Sequence, residues 1–499
     1  MSTGEGTAGA TRTRIAIIGG GFAGLGMAVR LKQAGIDDFV ILERADALGG
    51  TWRDNTYPGC AVDVQSHLYS FSFAPNPSWS AVYAPQQEIW DYILRVVDEH
   101  DVMPHVRLGH DVTGGDWDES AGVWHLQTSG GAVDAQVLIS GMGPLSNPVP
   151  PTIPGLDTFA GHCFHSARWD HGHDLRGRRV GVIGTGSSAA QFIPAIQPQV
   201  QHLTVFQRTP GWTLPRGNRR ISRLERAVYR RFPAVQAAIR RRQFVYREGL
   251  GLLLKDPRRG RVVQAAATAR LRLQVKDPVL RAKLTPDYRA GCKRLIVTDA
   301  YYPALAQPNV ELVADPISEI RPHAVVTADG AEHVVDTLIL GTGFQIMPVA
   351  DPLRGRDGVP LAERWSARRE AYLGVTVAGY PNYFMLIGPN TATGHTSALL
   401  YAEAQIEYVL QALAHLERTG TRALDVRPEV QRAYTARLRD RLRGTIWTAG
   451  GCNSWYLDDD GGSSVLWPGT TWEFQRALAT FEPADYVSTA APEPVATAA

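Results

Sequence analysis

The chain has 499 residues, 44% apolar and 20% charged, ordinary proportions for a globular protein of two or three domains, each able to bury its own core. Its formal charge is only +2, yet residues 216–290 hold 21 Lys and Arg against 5 Asp and Glu, so the basic excess is local. No apolar run reaches the ~18–20 residues of a membrane span, Met1–Arg14 lacks a signal-peptide core, and four scattered cysteines without a Cys-x-x-Cys exclude the flavin disulfide reductases and suggest a reducing compartment.

Arg14 to Ile18 is a short β-branched run ending in glycines, Phe22 to Ala34 has helical spacing, and Phe39 to Leu42 is a second strand closing on Glu43. The order recurs: a strand over Arg179 to Ile183, glycines, a helix to about Ile196, and a strand over Leu203 to Phe206. Two βαβ units of like layout predict an α/β protein with two Rossmann-like dinucleotide-binding domains. Five prolines between Gly141 and Gly155 make that stretch a stiff linker. Arg216 to Ala290 reads as a helical insertion, with Leu224, Val228, Phe232, Val235 and Ile239 on one face; its basic charge either lies on a solvated face or steers an anionic cofactor or substrate. Val334 to Leu340, closed by Gly341-Thr342-Gly343-Phe344, is expected to return the chain to the first domain, and Ser397 to Leu416 is a strong amphipathic helix. The Ala/Pro/Thr-rich tail after Ser488 reads as disordered. The expected division is 1–148 and 337–499 for the first domain, 149–215 and 290–336 for the second, and 216–289 for the insertion.

Gly19-Gly20-Gly21-Phe22-Ala23-Gly24 is a G-x-G-x-x-G turn at the junction of strand and helix, where Gly19, Gly21 and Gly24 let a pyrophosphate approach the helix N-terminus. Glu43 follows Gly24 by 19 residues, placed to accept from ribose hydroxyls. Gly184-Thr185-Gly186-Ser187-Ser188-Ala189 is the second turn, and 19 residues after Ala189 stands Arg208, followed by Thr209. An arginine in the carboxylate's place favours a 2′-phosphate, so the second site should take NADP(H) and the first FAD. No motif suggests an iron–sulfur, haem or other metal centre, which leaves a flavin passing electrons to a substrate or to oxygen.

Four further segments share one resemblance. They are Phe159-x-Gly161-x-x-x-His165-x-x-x-Trp169-Asp170 between the two domains; Gly49-Gly50-Thr51-Trp52, then Tyr57-Pro58-Gly59 and Asp63; Gly291-Cys292-Lys293-Arg294; and Asn453-Ser454-Trp455-Tyr456. Together they resemble the Baeyer–Villiger monooxygenases, from Arg14 to Phe474. The resemblance implies an NADPH- and O2-dependent flavoprotein that converts a ketone to an ester or lactone through a C4a-peroxyflavin and a tetrahedral adduct. It assigns Arg294 as the catalytic cation and Asp63 as the carboxylate that holds it. It adds Gly50, Thr51, Trp52, Asp54, Asp63, Phe22, Ala23 and Val112 to the FAD site, and Lys293 and Trp455 to the NADP site. The 453–456 segment corresponds to a mobile loop that closes over NADP. The 159–170 segment is expected to position the domains, with His165 structural rather than a base. Tyr301, Tyr302, Phe344 and Trp447 are candidate walls of the ketone pocket. The expected partners are NADPH, O2 and a small ketone, with no nucleic acid and no membrane span, in the cytoplasm. An N- or S-oxygenating flavin enzyme, a peroxide-releasing NADPH oxidase and a nucleotide-sensing protein remain as alternatives.

Overall fold

The computed structural model describes residues 10–346 and 352–490. The tail read as disordered lies largely outside them; its first residues complete the strand Tyr486–Ala490, which pairs antiparallel with Thr421–Val426. The first sheet has eight strands. Its centre is Thr11–Ile18, parallel to Phe39–Glu43 on one side and to Gly131–Ser140 on the other. Ile15 to Ile18 and all of Phe39–Glu43 are buried, as the continuous apolar runs require when both faces of a parallel sheet are covered. An antiparallel meander, Val112–Asp118, Val123–Thr128 and Gly131–Ser140, extends one edge.

The second sheet has five strands, all parallel, in the order Val310–Val313, His202–Phe206, Arg179–Ile183, Thr337–Leu340, His162–His165. Thr337–Leu340 therefore belongs to the second domain, not to the first, where a boundary at 337 would put it. Its four buried residues fit the slot between Arg179–Ile183 and His162–His165, and the crossing follows it. That crossing is paired with the outgoing one: Val149 N–H donates to Gly343 O at 3.0 Å and Gln345 N–H to Asn147 O at 2.8 Å. The proline-rich linker and the glycine-rich return thus run side by side as a two-stranded hinge.

Each dinucleotide turn is pressed against the start of one crossing. Gly19 has φ +100°, and a Cβ there would stand 2.8 Å from Gly141 O; Gly184 has φ +109°, and a Cβ would stand 2.4 Å from Gly341 O. Only glycine meets both conditions.

The insertion forms helices Arg223–Arg231, Pro233–Lys255, Gly260–Gln274 and Pro278–Lys283. The apolar face expected here does not form a core stripe. Pro233 starts a new helix after Phe232, breaking the periodicity, and Leu224 and Phe232 are 75% and 53% exposed. The residues that Pro233–Lys255 buries are Gln236, Arg247, Glu248, Gly251 and Leu254.

Gly184→Ala should lower the apparent melting temperature by several degrees, since the backbone strain alone costs about 1–3 kcal/mol. Gly186→Ala, whose Cβ would meet nothing within 4 Å, should leave it unchanged. Thermal unfolding of the two variants checks this.

Candidate active site

At the first turn the helix Phe22–Gln33 begins at Gly21 with no side-chain cap, so the N–H groups of its opening turn have no partner within the helix. Gly49 N–H donates to Gly20 O at 2.8 Å, which brings Gly50 (φ +52°) against Gly21 and sets the short helix Thr51–Asp54 beside the first. Glu43 is buried at the strand end and accepts from Gly20 N–H at 2.7 Å, Ala45 N–H at 3.0 Å and Arg53 Nη1 at 3.0 Å. Trp52 is buried with Nε1 donating to the Tyr69 hydroxyl, and the Asp54 carboxylate takes Arg53 Nε at 2.8 Å. Val112, buried, opens the meander. Uncapped N–H donors, a glycine-lined cleft and an accepting carboxylate at the second strand's end are what a dinucleotide with a free ribose hydroxyl requires, so these residues fit FAD.

At the second turn Gly184, Thr185, Gly186, Ser187 and Ser188 lead into the helix Ala189–Ile196, again without a side-chain cap. The Thr185 hydroxyl donates to Thr209 O. Arg208 is exposed and pairs with no carboxylate among the described residues. Burial, then the charge of Arg208, lowers the pKa of Lys293. Two neighbouring cations that repel one another suit a 2′-phosphate, so this turn fits NADP(H).

The segment carrying Asp63 lies where the domains meet. The Tyr57 hydroxyl donates to Gln191 Oε1 at 3.0 Å, Gln191 Nε2 to Ala61 O at 2.9 Å, and a Cβ at Gly59 would stand 2.7 Å from Gln191 O. Arg294 comes from the loop before Ile296–Val297. Its Nη2 and Nε donate to the same Asp63 oxygen, Oδ2, at 2.7 and 2.9 Å, and Nη1 donates to Thr393 O at 3.3 Å. Burial raises the Asp63 carboxyl, but the charges of Arg294, Arg247 and Arg216 outweigh it and hold it below the usual range. Asp63 in turn raises the Arg294 guanidinium further. About a third of the Arg294 side chain (31%) stays accessible, enough for a reactant to reach a permanently charged donor.

The cysteines overturn a sequence expectation. Cys292 and Cys452, 160 residues apart, form a disulfide, so the argument for four reduced thiols fails. Spacing could not reveal the bond because the tertiary fold brings its halves together. The signal available was adjacency: Cys292 directly precedes Lys293-Arg294, and Cys452 directly precedes Asn453-Ser454-Trp455-Tyr456. The bond ties the Arg294 loop to the Trp455 loop. Trp455 is half-exposed against Tyr456, while Tyr456 is buried beside Gly394. Of the expected pocket walls, Trp447 lines a small cleft with Leu254, Leu295, Gly394 and His395 around Lys293 and Arg294. Tyr301 and Tyr302 are buried in the second domain's core, and Phe344 lies edge-on to His165 at the hinge. His165 Nδ1 accepts from Ala167 N–H at 3.1 Å. Trp169 packs on Phe164 and Phe192, and His171 Nε2 lies 2.8 Å from the Thr56 hydroxyl of the first domain. Sequence reasoning did not find Arg216, Arg247, Glu248 or His395 near the pair.

The pyridine nucleotide-disulphide oxidoreductase family profile matches residues 16–240. The chain is 49% identical over 477 residues to a Baeyer-Villiger monooxygenase of Streptomyces coelicolor, covering 95% of this chain and 92% of that one. It is 45% identical over 501 residues to a Baeyer-Villiger monooxygenase of Pseudomonas aeruginosa, covering 99% and 94%. The crystal structure of cyclohexanone monooxygenase from Rhodococcus sp. Phi1 bound to NADP+ superposes with a TM-score of 0.86 at 30% identity, over 97% of this chain and 100% of that one. A crystal structure of OTEMO in complex with FAD and NADP superposes with a TM-score of 0.84 at 28% identity, over 94% and 98%.

Two measurements follow. Because Asp63 is held below its ordinary pKa, its pair with Arg294 stabilises fully above the unfolded carboxylate value of about 4 and fades as pH falls through the folded value. The melting-temperature gap between wild type and Asp63→Asn should therefore be widest above about pH 4 and narrow as pH falls through the folded value. Alkylation of the denatured, unreduced chain should label Cys60 and Cys163 alone, and reduction should add Cys292 and Cys452.

Proposed function

The chain belongs to the Baeyer–Villiger monooxygenases, and from that premise we propose that Arg294, held by Asp63, is the cation that drives oxygen insertion beside a ketone carbonyl. The enzyme is an FAD- and NADP-dependent flavoprotein monooxygenase whose product is an ester or lactone. The observation that carries the reading is one guanidinium, fixed by one carboxylate and still partly accessible.

Bound FAD would supply the redox chemistry, carrying two electrons from NADPH to O2 so that one oxygen atom enters the product and the other leaves as water. The protein's part is electrostatic and geometric. Arg294 keeps a permanent positive charge where negative charge builds on the incoming oxygen and on the ketone oxygen. Asp63 fixes the guanidinium through Nε and Nη2, so the charge needs no reorganisation when the reaction occurs. Arg208, Thr209 and Lys293 would hold the 2′-phosphate; Gly184 to Ala189 the NADP pyrophosphate; Gly19 to Gly24, Glu43, Gly50 to Trp52, Asp54 and Val112 the flavin nucleotide. Trp455 would cover NADP, and the disulfide would keep its loop near Arg294.

An N- or S-oxygenating enzyme is less favoured. An electron-rich heteroatom attacks an electrophilic oxygen donor and builds no oxyanion that a fixed cation must hold. The strand pairing supports a first domain running to 148 and resuming after Leu340, with the second domain between and the insertion at 216–289. The need for NADPH supports a cytoplasmic setting. Among the described residues no helix is long and apolar enough to cross a membrane.

With FAD-loaded protein, NADPH, 18O2 and a panel of linear, cyclic and aryl ketones alongside a sulfide and an amine, one 18O atom should appear in an ester or lactone. Arg294→Ala should reduce that product by about 10²–10³-fold or more. Label found only in a sulfoxide or hydroxylamine would replace the reading. Arg208→Ala should raise KM for NADPH by about 10–100-fold, the worth of a charge-assisted hydrogen bond, and leave KM for NADH little changed.

A further inference from the structure

The helix Pro233–Lys255 turns a charged face inward, towards Arg294. Glu248 is 2% exposed. Its carboxylate accepts from the Thr471 backbone N–H at 2.9 Å and from the Thr471 hydroxyl, and lies 3.1 Å from His395 Nε2. Nε2 therefore carries the imidazole proton, and Nδ1 is left to accept from the Thr393 hydroxyl at 2.9 Å. Burial disfavours the imidazolium, which keeps this neutral tautomer. For Glu248, burial opposes ionisation, but donation from His395 and Thr471 outweighs it.

The chain of bonds ends at Arg294, because Thr393 presents its carbonyl to Nη1 at 3.3 Å. The same helix face reaches the other half of the pair: Arg247 donates to Asp63 O at 3.2 Å and to His395 O at 3.5 Å. One turn later Gly251 supplies the room, since a Cβ there would stand 2.5–2.8 Å from atoms of the His395 ring. A helix that only had to pack would bury apolar side chains at lower cost than an ionised carboxylate.

We propose that Glu248 and His395 are positioning residues that fix the Thr393 carbonyl against Arg294, so the insertion helix holds the guanidinium on the side away from Asp63. This rests on Arg294 acting as proposed above. The test compares Thr393→Val, which removes a hydroxyl at equal volume, and His395→Gln with the conservative Thr393→Ser, all as FAD-loaded protein.

Thr393→Val and His395→Gln should lower kcat for ester formation by about 10–100-fold, with flavin content intact and KM for NADPH within about threefold. Thr393→Ser should recover most of the rate. Hydrogen exchange of backbone amides 393–397 should quicken in the first two variants and not in Thr393→Ser, a readout that needs no turnover. Wild-type rates and exchange in Thr393→Val and His395→Gln would overturn the proposal. A rate loss that merely tracks lost flavin would overturn it too, making the cluster structural. If the wild type forms no ester from any ketone, the reaction assigned above fails, and the exchange data alone decide the positioning claim.

Discussion

The Asp63–Arg294 ion pair is the interaction on which the rest of this structure depends. Its partners are 231 residues apart in sequence and meet only where the two dinucleotide-binding domains meet. Taking both charges out of water costs several kcal/mol per ion unless the geometry is good and the remaining donors are satisfied. The surroundings meet that demand. Two guanidinium nitrogens converge on one carboxylate oxygen, Thr393 O takes a third, and Arg247 donates to the Asp63 backbone. Arg216 donates to Val62 O at 2.8 Å, fixing the residue before Asp63. The carboxylate therefore stays ionised, and the arginine stays in one place with part of its surface accessible.

The domains are arranged to bring two cofactors to this point. Each strand-to-helix turn is stacked on a glycine of a crossing segment, Gly19 on Gly141 and Gly184 on Gly341. The two crossings hydrogen-bond to each other, so the hinge constrains both turns at once. The 159–170 segment works from the other side. Its strand is the edge of the second sheet, its half-buried Trp169 packs against the core, and His171, the residue that follows the segment, touches Thr56. These contacts explain a positioning role for the segment without giving His165 any chemistry.

The insertion and the disulfide change how the site is framed. A segment whose charge count suggests a solvated surface in fact buries Arg247 and Glu248 beside the ion pair. The Cys292–Cys452 bond joins the loop that carries Arg294 to the loop that carries Trp455, limiting how far the second can move from the first. The bond counts against the cytoplasmic setting that the need for NADPH supports, because disulfides do not generally persist in a strongly reducing compartment.

Family resemblance assigned Asp63 and Arg294; the local sequence was enough to determine both βαβ units, the two glycine turns, and Glu43 and Arg208 at matching offsets. Those features depend on contacts within about 30 residues, where periodicity and glycine stereochemistry leave few alternatives. Tertiary structure decided the rest. Thr337–Leu340 reads as an apolar strand wherever it lies, and only its neighbours assign it to the second sheet. The spacing of Leu224, Val228, Phe232, Val235 and Ile239 is helical, but Pro233 and the packing partners decide which face is buried. His395, Glu248 and the disulfide are legible only once residues 147 and 160 positions apart are brought together, because a hydrogen bond or a covalent bond across such a distance leaves no periodic trace in the chain.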